Sequence, residues 1–179
     1  MIEIRRLCLN SSEVLAALDG SKTEHRIKKG LTQGPPKIRS GLIAYAAEDL
    51  ISSLGVKAHK ALAKKEPIKG YYVADGSPLP REVVWPTLLT RCRAVSMPPI
   101  VARLLFHVSG VRCEAIGDLD DAAARREGYQ DLRSLRGHWL AKEKRWIPEE
   151  LIWVVKLQRI FIPPNWEQLC SGSIEPGLF

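Results

Sequence analysis

The stretch "LDGSKTEHRI" sets a lysine, a threonine, a histidine and an arginine immediately behind a glycine that ends an apolar run. Lys22 can serve two chemistries. A desolvated lysine loses its charge readily and acts as nucleophile or base, whereas a charged one binds phosphate or carbonyl oxygen. Glu127, in "RREGY", ends a short helix, where a carboxylate opposes the dipole and wants a cationic partner such as Lys22, Arg26 or Arg103; its other reading is a general acid/base that polarises a water. His25 alternates with Thr23, so on a regular strand both point away from the face of Lys22, and only a bulge or an irregular strand start brings His25 and Lys22 together. His107 and Arg103 fit one sheet face, as a polar cleft wall or equally as a solvent-facing pair.

Arg26, Arg103, Arg112 and the run Lys57, Lys60, Lys64 and Lys65 can contact phosphates. Tyr45, Tyr71, Tyr72 and Trp85 can stack on bases, as aromatics do beside a basic groove in single-strand binders. Trp139, Trp146 and Trp153 read as packing residues. The chain has 179 residues, 27 Lys+Arg against 20 Asp+Glu and a formal charge of +7, a balance that suits a polyanionic partner.

These residues need elements to carry them. "EIRRLCL" alternates as a strand does. "NSSEVLAALDG" reads as a helix capped by Asn10, Ser11 or Ser12 and stopped by Gly20 in the left-handed region. "KTEHRI" resumes alternation. A Gly/Pro-rich loop spans residues 28–37, and "IRSGLIAYAAEDLISSL" reads as a buried strand followed by a helix turn. Residues 49–96 are basic and then turn-rich, and read as a variable surface excursion. From Ala102 a long strand is expected, with a bend or bulge at Ser109-Gly110. A short helix follows, capped by Asp118 or Asp120 and closed by Gly128, and then a second helix weakened at Gly137. "ELIWVVKLQRIFI" is the strongest strand, stopped by Pro163-Pro164, and the tail at 163–179 reads as polar and turn-like.

The expected fold class is α+β, a small curved or closed sheet with two or three short helices, because helices do not alternate regularly with strands. One domain over residues 1–162 is expected. Cys8, Cys92, Cys113 and Cys170 are too dispersed for a zinc knuckle or a disulfide framework and read as buried free thiols. There is no Rossmann fingerprint, P-loop or H-E-x-x-H motif, so neither a cofactor nor a metal is expected. The opening "MIEIRRLCLN" lacks the order of a secretory signal, and no apolar stretch approaches the length of a membrane span. A cytoplasmic protein without a membrane partner is the expectation.

Three segments together resemble one family. "LDGSKTEHR" resembles the G-x-K-T-x-T-x-R signature of ASCH domains, which are PUA-like β-barrels. "SMPPIVARLLFHVSGVRCEAIGDLDDAAARREGY" and "WIPEELIWVVKLQRI" resemble the later half of the phage and prophage type. The resemblance covers residues 3–27 and 96–161. It implies a small barrel with a basic cleft in which Lys22 and Glu127 face one another, binding RNA or a modified nucleoside. Lys22, Thr23, Arg26, Tyr45 and Arg103 would be the ligand-binding residues. It also implies an alternative, an amidohydrolase acting on N4-acetylcytidine through Lys22 and Glu127. The family's second threonine is His25 here, which would have to take that hydroxyl's part. Ala47 stands where relatives carry an arginine, and Tyr45 where they carry a tryptophan, while Glu48 is kept. The losses at 25 and 47 favour binding over deacetylation. A third reading is a phage or prophage accessory protein working through protein contacts, with residues 49–96 as its surface.

Overall fold

Asn10 caps the first helix reciprocally. Its side chain accepts from the Glu13 amide while a Glu13 carboxylate oxygen accepts from the Asn10 amide, satisfying two amides that a helix start leaves unpaired. Gly20, at φ 87°, ends that helix. The computed structural model describes residues 4–29, 38–52, 67–80, 83–84 and 91–172. The lysines at 57, 60, 64 and 65, Trp85 and most of the 28–37 loop lie outside them.

A five-stranded sheet carries the fold. It contains β1 (Ile4–Cys8), β2 (Glu24–Lys28), β3 (Ile43–Ala47), β9 (Leu105–Ala115) and β10 (Leu151–Ile160), in the order β1-β3-β9-β10-β2. β1 runs parallel to β3 and every other pairing is antiparallel. The pairing of β10 with β9 shifts where Lys156 faces Gly110 and Leu157 faces Val108. Ser109 is therefore the extra residue of a bulge, at the expected place, and it bends the longest ladder. Among the described residues no ladder joins β1 to β2, so the sheet is open by hydrogen bonding.

The helices are α1 (Ser11–Asp19), α2 (Asp121–Glu127), α3 (Leu132–Glu143) and α4 (Trp166–Gly172). Asp120 caps α2 and Gly128, at φ 98°, closes it. The architecture is mixed α+β, as expected. None of the helices among the described residues is long and apolar enough to cross a membrane.

Four expectations are corrected. After β3 the chain makes strand β4 (Leu50–Ser52), not a helix turn, because it pairs on both sides, with β6 (Gly70–Tyr72) and β8 (Arg91–Cys92). Nor are the described parts of 49–96 merely surface. Two further short strands there, β5 (Pro67–Ile68) and β7 (Val83–Val84), pair with each other, while Leu50, Tyr72, Leu79 and Cys92 enter a core with Tyr45, Met97 and Leu105. The 163–179 tail begins with α4, whose Trp166 and Cys170 are buried in the same core, one helical turn apart, and the Trp166 indole donates to the Pro99 carbonyl at 3.0 Å. All four cysteines are free, but only Cys92 and Cys170 are buried; Cys8 and Cys113 are exposed.

Candidate functional site

The chain reverses at Gly20, and the Lys22 amide bonds back to the Ala16 carbonyl at 3.0 Å. The Thr23 amide then donates to the Arg126 carbonyl at 2.8 Å, tying the link before β2 to the end of α2. At Gly128 a Cβ would stand 2.7 Å from the Ala16 Cβ. Glycine is needed there for the close approach as well as for its positive φ. That approach sets Glu127 beside Glu13 of α1.

The Lys22 ammonium sits between the two acids. It donates to the Glu127 carbonyl at 2.7 Å, to Glu127 Oε1 at 3.2 Å and to Glu13 Oε1 at 3.2 Å. An ammonium has three protons, and all three have acceptors; the side chain has no exposed area. His25 Nδ1 lies 3.2 Å from Glu127 Oε1 and 3.4 Å from Glu13 Oε1. Neither oxygen lies along a direction that makes a hydrogen bond, so the contact is one of charge.

Glu127 also covers the outer edge of β2. Its Oε1 accepts from the Arg26 amide at 3.1 Å and its Oε2 from the Arg26 guanidinium at 2.9 Å. A carboxylate on that unpaired amide blocks strand addition. Arg26 continues to Glu24 at 2.8 Å and Glu114 at 3.3 Å.

Burial raises the Glu127 carboxyl, but the Lys22 and His25 charges outweigh it and hold it far below the usual range. Glu13 behaves alike: burial raises it, and His25, Lys22 and the Asn10 amide lower it further. Burial would lower His25, yet the two carboxylates win and its pKa is raised. Glu13, His25 and Glu127 offer ligand atoms within 4.8 Å of one another, a set that suits a divalent cation. The Lys22 ammonium already stands 3.2 Å from both carboxylate oxygens, so the donor set is spent on a built-in cation and does not fit a metal.

Beside this cluster lies an open cleft of about 560 Å³, lined by Thr23, Glu24, Ser109, Arg112, Arg126 and Lys156. Glu24 is 4% exposed and gathers three arginines: Arg26, Arg112 at 2.9 Å and Arg126 at 3.2 Å.

Of the expected site residues, Lys22, His25, Arg26 and Glu127 come together, and Thr23 lines the neighbouring cleft. The structure supplies the irregular strand start that a meeting of His25 with Lys22 requires. Lys22 precedes β2 rather than standing on it, so strand alternation does not govern the pair.

Tyr45 and Arg103 do not join them. Tyr45 is buried in the core around Met97, and its hydroxyl accepts from Arg6 at 2.6 Å. Arg103 pairs with Glu48 at 2.7 Å and Asp75 at 2.6 Å and stacks 3.9 Å over the Tyr72 ring. It enters β9, whereas Arg112 stands near its end, about 30 Å away at strand spacing. Tyr72 thus serves as the seat of Arg103, not as a base-stacking surface.

Glu13, Glu24 and Lys156 escape a reading of the sequence alone. The signal for Glu13 was its place three residues after Asn10, which marks a capping box but leaves its other oxygen unassigned.

No protein-family model matches the chain, and no curated protein matches it either. Among solved structures it is similar to a crystal structure of a protein from Enterococcus faecalis V583 described by family model DUF984, at 8% identity and a TM-score of 0.44, over 90% of this chain and 82% of that one. So distant a likeness carries no residue role across.

Proposed function

We propose that this chain is an ASCH-type, PUA-like domain that binds RNA, or a ligand built on a nucleoside, in the cleft beside β2. The observation that carries this reading is the cleft itself, where Arg112, Arg126 and Lys156 stand around the hydroxyl residues Thr23 and Ser109. Lys22 and Glu127 lie beneath it as the electrostatic support of its wall. The Ser109 bulge, which bends the β9–β10 ladder, supports a sheet curved in the PUA-like manner.

Three cationic contacts to a single strand predict a slope of about −2 for log affinity against log salt. Fluorescence anisotropy of a labelled single-stranded oligoribonucleotide across a salt series measures it. Lys156→Ala should flatten the slope by about 0.7. A salt-independent affinity, or a slope that ignores Lys156, would overturn the reading.

The amidohydrolase alternative draws on one observation, that Lys22, His25 and Glu127 do converge. The chemistry weighs against it. Stabilising an oxyanion needs a free donor, and every proton of Lys22 is already taken within the fold. Chromatography after incubation with N4-acetylcytidine is therefore expected to return the substrate intact. Turnover that disappears in His25→Asn would establish the hydrolase instead.

A further inference from the structure

Arg126 is anchored by one side of its guanidinium only. Its Nε lies 3.2 Å from Glu24 Oε2, and its two terminal nitrogens have no partner among the described residues. Glu24 is itself fixed, because Arg26, with 1% side-chain exposure, holds the same oxygen at 2.8 Å from below. Arg112 grips the other oxygen at 2.9 Å and is braced in turn by Glu114 at 3.0 Å. The Arg126 fork is thus aimed from a buried carboxylate, with 44% of its side chain exposed. Lys156 and the Thr23 and Ser109 hydroxyls line the same cleft, and none has a side-chain partner among the described residues.

We infer that this cleft holds a phosphoryl group, with the Arg126 fork as its bidentate clamp, Lys156 as the second cation and Glu24 as the positioning residue that aims the fork. The inference rests on the reading of the cleft as a nucleic-acid or nucleoside site, and it names the group held there. A carboxylate has two oxygens, and the fork alone occupies both. A lysine and two hydroxyls beyond the fork call for an acceptor with further oxygens set in another plane, which a phosphoryl group has. The phosphoryl group can come from a terminal monoester or from a diester within a strand.

The test is calorimetric titration with cytidine, cytidine 5′-monophosphate, the dinucleoside monophosphate CpC and inorganic phosphate. At least one phosphorylated nucleoside should bind about tenfold or more tighter than cytidine, the order of one charge-assisted bidentate contact. Tighter binding of the monophosphate marks a terminal group, and equal or tighter binding of CpC marks a diester; both support the clamp. Arg126→Lys keeps the charge and removes the fork, and should erase most of the preference of the phosphorylated nucleosides over cytidine.

Glu24→Gln separates aiming from mere attraction. It makes the cleft one charge more positive, so a plain electrostatic funnel would bind phosphate more tightly. A released fork binds it several-fold more weakly, which is the expected result. A preference below twofold in the wild type, or one that survives Arg126→Lys, overturns the clamp. RNA binding with the predicted salt slope but no phosphate preference sinks the clamp alone. A phosphate preference without RNA binding sinks the RNA reading alone.

Discussion

Glu127→Ala should cost about 3–5 kcal/mol of folding stability, the range for breaking a buried ion pair from one side. Its carboxylate serves Lys22, the Arg26 guanidinium and the Arg26 amide at 3.2, 2.9 and 3.1 Å, so removal strands the edge-strand amide and takes one carboxylate from each of two buried cations, leaving Lys22 to Glu13 and Arg26 to Glu24 and Glu114. An opposing effect exists. Glu127 ends α2, where an anion faces the negative end of the helix dipole, and losing it returns about 0.3–1 kcal/mol. That is too small to reverse the sign. Urea denaturation measures the loss, read from the midpoint at constant slope. The exposed pair Arg145–Glu150, at 2.8 Å with Arg145 49% exposed, supplies the contrast, since breaking such a pair costs about 1 kcal/mol or less. A Glu127→Ala loss no larger than that would mean the cluster is hydrated in solution.

How much of this was legible in the sequence differs by kind of signal. Local chemistry was readable: the Asn10 cap, the stops at Gly20 and Gly128, the Ser109 bulge and the strength of β10 each depend on a few neighbouring residues. The meeting of Lys22 with Glu127 came only through a family resemblance, because nothing local joins residues 105 positions apart. Alternation alone would part His25 from Lys22; the irregular start after Gly20 that joins them was open in the sequence but not decided by it, and β2 begins two residues after Lys22. Arg103 and Tyr45 were drawn into the wrong neighbourhood for a topological reason. Charge and aromaticity say that a residue could line a cleft, but not that Arg103 stands just before β9, at the end where Tyr45 pairs with Leu105, while Arg112 stands near the other end. Glu24 and Glu13 were hidden differently. Each looked complete as a strand or cap residue, and their second roles exist only once α2 and β9 are packed against them.

Proton linkage in the buried cluster gives the second large prediction. Glu13 and Glu127 are lowered from a reference of 4.5, so their contribution to stability is fully present above that pH and is lost as pH falls toward their folded values. His25 is raised from 6.5, so its contribution is fully present below that pH and fades as pH rises through its folded value. The cluster should therefore stabilise the fold most between about pH 4.5 and 6.5. Lys22→Met sharpens this. With the ammonium gone, the two carboxylates share one site with His25 as the nearest compensating charge, beyond the Arg26 guanidinium on Glu127. Two like charges so placed hold a proton between them or on the imidazole. The variant's folded state then binds protons more tightly than the wild type does, and its stability must fall more steeply toward alkaline pH. Each tenfold gain in proton affinity is worth about 1.4 kcal/mol, so the loss caused by Lys22→Met should be larger at about pH 8 than at about pH 5.5 by about 1–2 kcal/mol. Denaturation midpoints of both proteins across that range provide the check, and adding His25→Asn to Lys22→Met should remove the part of the excess slope that the imidazole carries. An equal loss at both pH values would mean that the carboxylates are neutralised from elsewhere and that Lys22 is a packing residue with a charge, not the counter-ion on which Glu13 and Glu127 depend.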